Sequence, residues 1–313
     1  MDKVDILMAT YNGEKFLKIQ LESILSQKYT NWHLYISDDS STDNSTSIIK
    51  EYASKDSRIT IVPAKKCGNA KDNFFYLLNF STANYIMFCD QDDLWLPNKI
   101  LDALTNIQLI EEDNKTIPLL VYSDLEVVDE YMATIDSSYF HYQNICPTKE
   151  FSKLLIQNSV TGCTMIFNKV LKEMTLQCKQ TEYIIMHDWW MALISSCFGR
   201  VNVLSENSIK YRQHANNSVG AKNTRSFLYI LKKCIKISSI RKDVIRTQLQ
   251  AKCFYDNFYN SSSLNEHSKK CLYFARDYGK CVNLSKIERL KFYLSNNIRK
   301  NSIIKTIGLY IGG

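Results

Sequence analysis

The sequence predicts an α/β protein with a mostly parallel sheet flanked by helices, followed by a basic helical C-terminal region. Short apolar runs typical of strands alternate with segments of helical spacing over the first half of the chain. Such alternation needs crossover connections, which place helices on both faces of a parallel sheet. Three of the runs end in small polar or acidic residues, and ligands bind beyond the carboxyl ends of strands in such sheets.

The strand, loop and helix unit occurs four times. Strands are predicted at 4–8, 32–36, 59–62 and 85–89, and helices at 14–27, 45–54, 73–79 and 97–110. Pro97 suits a first helical turn, since that position needs no N–H. Further strands are predicted at 119–122, 125–128, 161–167 and 201–204, and helices at 151–157 and 191–198. Gly162 interrupts one of these strands, which often marks close approach by a ligand or by backbone.

Length and composition exclude several classes of protein. The chain has 313 residues, 45% of them hydrophobic, which is ordinary for a globular fold. We find no run of about 18 apolar residues that would predict a membrane-spanning helix, and residues 1–9 are typical of a strand rather than a signal peptide. The ten cysteines are scattered without paired spacing. We therefore expect reduced cytosolic thiols rather than disulfides or a zinc site.

The charge is divided unevenly along the chain. Residues 1–221 hold 20 Lys and Arg against 27 Asp and Glu, whereas residues 222–313 hold 19 against 5. A basic region of this kind could contact nucleic acid, an anionic membrane surface or a second subunit, or form a solvated helical face. We expect no nucleic acid partner, because the region lacks the aromatic pattern of a known binding module.

The most informative motif is the acidic segment Asp90, Gln91, Asp92 and Asp93, directly after the apolar run at 85–89. Clustered carboxylates repel one another and need a counter-charge, most simply a divalent cation. Asp90 and Asp92 are two apart, so their side chains point the same way in an extended segment. The alternative is a solvated turn in which Asp93 caps the next helix.

The order of the motifs resembles the inverting nucleotide-sugar glycosyltransferases of family 2, which have the GT-A fold. The resemblance covers residues 3–220 and runs through the segments 6–12, 36–43 and 88–95, then Gly162, the segment 187–190 and the segment 211–214. The DQDD, HDWW and YRQH forms are most similar to bacterial rhamnosyltransferase-type enzymes of O-antigen and capsule assembly. We therefore predict a GT-A domain at 1–220 and a basic helical region at 221–313 that contacts membrane or a dimer partner.

The resemblance implies a Mn or Mg ion that holds the diphosphate of the sugar donor. Asp92 is implied as the direct metal ligand, and Asp90 as a residue that orients the ribose or a metal-bound water. Arg212 and His214 share a face of an extended segment. In similar proteins this segment brings a cation or an imidazole to the diphosphate, so that His214 would complete the metal shell.

The loops after the first two strands are where the family binds the nucleobase. One of the carboxylates of Asp38 and Asp39 would accept from the ring imide N–H of uracil or thymine, and Thr10 and Tyr11 would line the other side of the base. Lys71 is implied as a contact to donor phosphate or base. The alternative for Asp38 and Asp39 is capping of the following helix.

The resemblance also implies a general base at the start of a helix beyond the sheet. Asp188 occupies that place, although an Asp there is also a favourable cap. The usual family dipeptide is Glu-Asp, so His187 departs from it and would position Asp188 or contact the acceptor. Trp189 and Trp190 are expected to be divided between sugar stacking and core packing, and Gly162 is predicted on the acceptor side.

The predicted activity is transfer of a sugar, with rhamnose one candidate, from a nucleoside diphosphate sugar to a growing surface polysaccharide. The acceptor implied is a lipid-linked oligosaccharide at the cytoplasmic face of the inner membrane. A second reading is a non-catalytic sugar-nucleotide-binding subunit of the assembly complex. Donor hydrolysis that requires a metal would distinguish the enzyme from that subunit.

Overall fold

The computed structural model describes residues 1–112, 114–214, 237–261 and 264–312. Its elements confirm the predicted strand and helix alternation. In chain order they are β1 (Val4–Thr10), α1 (Glu14–Leu25), β2 (Trp32–Asp38), α2 (Ser45–Lys55), β3 (Ile59–Ile61), α3 (Ala70–Leu78), β4 (Tyr85–Cys89), β5 (Leu94–Trp95), α4 (Lys99–Glu111), β6 (Leu119–Ser123), β7 (Glu126–Val128), β8 (Thr134–Asp136), α5 (Tyr139–Gln143), α6 (Phe151–Ile156), β9 (Ile166–Asn168), α7 (Lys169–Leu176), α8 (His187–Phe198), β10 (Arg200–Leu204), β11 (Ile209–Arg212), α9 (Ile237–Phe258), α10 (Glu266–Lys280), α11 (Lys286–Ser295) and α12 (Ile303–Gly312).

Within the described residues, seven strands form the main sheet in the order β10-β6-β9-β4-β1-β2-β3. The strands are parallel except β9, which is antiparallel to both β4 and β6. At the centre, Ile6 lies in register with Leu34 on one side and Met87 on the other. Because β4, β1 and β2 are parallel neighbours, the loops that follow them meet at one edge.

A smaller sheet, in the order β5-β11-β7-β8, lies beside this edge. Strand β11 pairs antiparallel with β5 and parallel with β7. This pairing carries residues 212–214 to the acidic segment, which directly precedes β5.

The C-terminal helices share a core with the α/β part of the chain. Phe254 and Phe258 on α9 pack against Trp190 and Phe198 of α8, with Trp190 and Phe254 ring centroids 5.3 Å apart. The predicted domain boundary near residue 220 lies outside the described residues.

Two local predictions are wrong. The segment 161–167 is not one strand: Gly162–Thr164 forms a 3₁₀ turn, and β9 begins only at Ile166. Pro97 does not occupy the first turn of α4, because Asn98 is the residue before the helix and Lys99 the first within it. Pro97 lies instead in the turn between β5 and α4.

Candidate active site

Side chains after β1 and β2 bind each other at the sheet edge. The Thr10 hydroxyl donates to Asp38 Oδ1 at 2.9 Å, and the backbone N–H and hydroxyl of Ser41 donate to the same carboxylate at 2.8 and 2.6 Å. Thr10 is buried. Asp38 therefore holds the β2–α2 loop in place and does not cap α2, whose Ser45 N–H is accepted by Asp43.

Asp39 fastens the loop after β3. Its carboxylate accepts the backbone N–H groups of Cys67 and Gly68, the latter at 2.8 Å from Oδ2. Gly68 has a φ of 79°, a conformation that glycine adopts at little cost. Lys71 lies at the start of α3, where its ammonium is 3.3 Å from Asp72.

Gln91 is a residue of this site that the sequence reasoning missed. Its side-chain amide accepts the backbone N–H of Tyr11 at 2.8 Å and donates to the carbonyl of Tyr11 at 3.0 Å. A Cβ at Gly13 would come within 2.3 Å of the Gln91 oxygen, so that glycine is needed for the contact. The clamp fixes the backbone of Tyr11, whose side chain is 56% exposed at the site. Side chains alternate in direction along an extended segment, so the sequence already indicated that Gln91 points away from Asp90 and Asp92.

The Asp92 carboxylate pairs with His214. His214 Nε2 lies 2.8 Å from Asp92 Oδ2, and both side chains are largely buried. The residues are 122 positions apart in sequence. Pairing of β11 with the small sheet brings them together.

Asp93 and Arg212 fix the acidic segment through hydrogen bonds to backbone groups. Asp93 is fully buried, and its Oδ1 accepts the Arg212 backbone N–H at 3.1 Å. The Arg212 guanidinium, 1% exposed, donates to the carbonyls of Asp92 and Glu130 at 2.8 Å each. The prediction that Asp93 caps the following helix is wrong. Helix α4 begins only at Lys99, and the Asp93 carboxylate accepts a hydrogen bond from the backbone of β11 instead. Arg212 binds backbone carbonyls in this structure.

A buried lysine lies under the acidic segment. Lys99 is 1% exposed, and its ammonium lies 4.7 Å from the Trp95 ring centroid. Burial lowers the pKa of Lys99 to about 8, while Cys163, Cys89 and Asp93 oppose that shift. Burial also raises the pKa of Asp93 well above its usual range, helped by the charges of Asp92 and Asp90.

Asp188 lies at the start of α8 and belongs to the same cluster. Its Oδ2 accepts the Gly162 N–H at 3.1 Å, and its Oδ1 accepts the Trp189 N–H. Burial raises the pKa of Asp188 to about 6. Burial, followed by the charges of Asp92 and Asp188, raises the pKa of Asp90 to about 7. Cys163, the residue after Gly162, has its Sγ within 4.8 Å of ligand oxygens of Asp90 and Asp93, so the hydrogen bond to Gly162 places the candidate base beside the acidic segment.

His187 lies in the core rather than on the acceptor side. Its ring is 3% exposed and lies 4.2 Å from the Phe74 centroid and 4.8 Å from that of Phe88. Burial lowers the pKa of His187 to about 3. The close approach expected at Gly162 is to this side chain, because a Cβ there would lie 2.9 Å from His187 Nε2.

The two tryptophans point in different directions. Trp190 is fully buried, and its indole N–H donates to Cys178 Sγ at 3.4 Å. Trp189 is half-buried; its N–H donates to the Leu154 carbonyl, and its ring lines a cavity of about 210 Å³ together with Arg246 of α9. Trp190 is therefore the core member of the pair, and a sugar contact could come only from Trp189.

The residues present fit a divalent cation. The 2.8 Å between Asp92 Oδ2 and His214 Nε2 is close to the separation of about 2.9 Å between neighbouring ligand atoms around an octahedral cation. Among the described residues, ligand atoms of Asp90, Asp93 and Cys163 also lie within 4.8 Å of one another. Asp93 and Cys163 are fully buried, and burial keeps the thiol protonated. The carboxylate of Asp92 and the imidazole of His214 suit a hard cation better than a protonated thiol does.

Solved structures share this architecture at low sequence identity. The crystal structure of S. aureus TarS 1-349 has a TM-score of 0.55 at 16% identity and covers 99% of this chain and 90% of that chain. The mannosyltransferase PcManGT from Pyrobaculum calidifontis, in complex with GDP-Man and Mn²⁺, has a TM-score of 0.54 at 15% identity, over 99% of this chain and 85% of that one. The fold is therefore the GT-A glycosyltransferase fold.

The chain belongs to glycosyl transferase family 2, whose profile matches residues 5–174, and it is a glycosyltransferase. It is 29% identical over 272 residues to the dTDP-rhamnosyl transferase RfbG of Shigella flexneri, covering 81% of this chain and 87% of RfbG. It is 27% identical over 169 residues to WfgD of Escherichia coli, named as a UDP-Glc:alpha-D-GlcNAc-diphosphoundecaprenol beta-1,3-glucosyltransferase, covering 54% of this chain and 61% of WfgD.

Proposed function

We propose that the protein is a metal-dependent inverting glycosyltransferase, with a nucleoside diphosphate sugar as donor and a hydroxyl of a lipid-linked surface polysaccharide as acceptor. The observation that carries the proposal is that Asp188 binds the Gly162 N–H while the next residue, Cys163, lies within 4.8 Å of the Asp90 and Asp93 carboxylates after β4. A base and a diphosphate-binding segment at one sheet edge are the two parts that this reaction needs. Similarity to RfbG makes dTDP-rhamnose the first donor to test.

Asp92 and His214, with Asp90 beside them, would hold Mn or Mg. When bound, the cation neutralises the charge that develops on the departing diphosphate. Thr10, Tyr11, Asp38 and Asp39 would line the nucleobase site, and Lys71 would contact the donor phosphate or the base. Of these side chains, Tyr11 is exposed and its backbone is clamped, which suits stacking on a base.

Asp188 acts as the base in the proposed mechanism. The acceptor oxygen attacks the anomeric carbon from the side opposite the diphosphate, the bond to the diphosphate oxygen breaks, and the configuration inverts. The acceptor proton passes to the Asp188 carboxylate. Hydrogen bonds from Gly162 and Trp189 hold both carboxylate oxygens, so the group is oriented before substrate arrives.

The proposed location is the cytoplasmic face of the inner membrane, with residues 221–313 as the peripheral contact and residues 1–220 as the catalytic domain. Among the described residues, no helix combines the length and apolar character needed to span a bilayer. WfgD is named for a diphosphoundecaprenol-linked acceptor, which supports a lipid-linked acceptor here.

The test combines a donor screen with one variant. We expect calorimetry with dTDP-rhamnose, UDP-sugars and GDP-sugars, in Mn or Mg, to identify a preferred donor whose turnover is lost in EDTA. Asp92→Asn is expected to abolish turnover with an unchanged thermal unfolding profile. Glu173→Gln, at an exposed carboxylate on α7, is the matched control and should retain wild-type turnover.

Near-normal turnover in Asp92→Asn would refute the metal role of that residue. Donor binding without any transfer or hydrolysis would instead favour a non-catalytic sugar-nucleotide-binding subunit.

A further inference from the structure

Helix α12 exposes an apolar face. Ile303, Ile304, Ile307 and Ile311 are 80, 49, 50 and 52% exposed, whereas Leu309 is fully buried. At about 100° per residue, the four isoleucines lie within an arc of about 100°, and Leu309 points to the opposite side. An amphipathic helix usually buries its apolar side, whereas α12 exposes large aliphatic side chains to the solvent.

The other side of α12 is firmly packed. The Tyr310 hydroxyl donates to the Ile298 carbonyl at 2.9 Å, and its ring lies 6.3 Å from that of Tyr293 on α11. A Cβ at Gly308 would lie 3.3 Å from Ile240 on α9. These contacts fix the orientation of the helix, and no part of the chain that the structure describes covers the isoleucines.

Helix α11 also exposes apolar side chains. On α11, Ile287 and Leu294 are 69 and 59% exposed, and they lie seven residues apart, on one side of that helix. Exposed cations, among them Lys291 and Arg299, accompany them. Exposed apolar side chains accompanied by exposed cations are typical of an interface with a membrane.

The charge of the region distinguishes between two occupants. A second copy in a two-fold symmetric dimer would present the same patch, which brings together two copies of the described residues 237–261 and 264–312, each with 14 Lys and Arg against 5 Asp and Glu. That arrangement is repulsive. An anionic bilayer surface attracts the same residues, by about 1 kcal/mol for each Lys or Arg near it.

We propose that the isoleucine face of α12, formed by Ile303, Ile304, Ile307 and Ile311, inserts into the interface of an anionic lipid bilayer, with the basic residues around it binding the headgroups. The proposal rests on the membrane contact in the proposed function and assigns it to one helix face. It also orients the chain, because the face opposite Leu309 must point toward the lipid.

The test is vesicle sedimentation with the full chain. Wild type should bind mixed phosphatidylglycerol and phosphatidylcholine vesicles at low salt, and bind pure phosphatidylcholine vesicles weakly. The triple variant Ile303→Ser, Ile307→Ser and Ile311→Ser should lose on the order of tenfold in partitioning, since three partly buried aliphatic contacts are removed. The matched control Ile19→Ser, Leu109→Ser and Ile135→Ser replaces side chains that are 41, 66 and 46% exposed outside the region, and should partition like wild type.

Equal partitioning of the triple variant and wild type would overturn the proposal. So would a concentration-dependent dimer in sedimentation velocity that the triple variant abolishes, since the face would then belong to a second copy. Metal-dependent hydrolysis of the preferred sugar nucleotide, measured without vesicles, is expected to be unchanged in the triple variant. Its absence in wild type would refute the proposed activity, whatever the lipid result.

Discussion

Replacing Asp188 by Asn should stabilise the fold and remove the activity. Burial raises the pKa of Asp188 to about 6 from an ordinary value of 3.8, so the folded protein binds this proton more tightly than the unfolded chain does. The charged carboxylate therefore costs folding free energy at neutral pH, and that cost disappears as pH falls from about 6 toward 4. A pKa difference of about two units corresponds to about 3 kcal/mol at pH 7 and about 1.5 kcal/mol at pH 5.

Asparagine recovers only part of this free energy. The Gly162 and Trp189 N–H groups donate to different carboxylate oxygens, and an amide offers one acceptor, so one of these hydrogen bonds is lost at a cost of about 1 kcal/mol. We expect a net gain of about 2 kcal/mol in unfolding free energy at pH 7, measured by urea denaturation without metal. The gain should shrink as pH falls to 5.

Activity measurements test the catalytic role of Asp188 separately from its effect on stability. Asp188→Asn should lose transfer while retaining calorimetric donor binding, and wild-type turnover should fall about tenfold per pH unit below the pKa of the base. A variant that is less stable than wild type at pH 7 would refute the burial argument. Loss of donor binding would count against Asp188 as the base.

Two further predictions concern the residues beside Asp188. Gly162→Ala should destabilise the fold by about 1–3 kcal/mol and lower kcat, because the new Cβ would lie 2.9 Å from His187 Nε2 and displace the N–H that holds Asp188. Adding His187→Ala should restore part of the lost kcat. An unchanged kcat in Gly162→Ala would contradict the packing argument. His187→Phe should be more stable than wild type, and the difference should grow toward pH 5. At pH 5 the histidine of the unfolded chain binds a proton, whereas burial keeps His187 neutral in the folded protein, which costs wild type about 2 kcal/mol of unfolding free energy. A stability difference that does not vary with pH in denaturation curves would refute that account.

Local sequence signals predicted the α/β part of the fold well. The runs that became β1, β2 and β4 are apolar and end in polar loops, and parallel pairing necessarily brings those loops to one edge. The helix that begins at His187 was also predicted, because an apolar helical run follows it. Strand β9 was missed as an antiparallel member, since nothing local to residues 161–168 reports the direction of its neighbours in the sheet.

The site was predicted less completely, because its decisive contacts join residues far apart in sequence. Asp93 was assigned to a cap on local grounds, yet its partner is the Arg212 backbone, 119 residues away. His187 carries a polar ring that favours a surface role, but Phe74 and Phe88 surround it from two other elements. Neither the small sheet that delivers β11 nor the aromatic pocket leaves a periodic signal in the chain.

The three carboxylates of the acidic segment differ in role because they differ in partner. Asp93 is fully buried and accepts the Arg212 N–H of β11, and it is one of the groups that oppose the lowering of the Lys99 pKa by burial. Asp92 faces His214, whereas burial, together with the charges of Asp92 and Asp188, raises the pKa of Asp90. A buried cation beneath the segment lowers the cost of concentrating negative charge at its surface, where a divalent cation and a diphosphate would have to bind. The inner carboxylate thus fixes the position of the segment, which leaves the outer two available for chemistry.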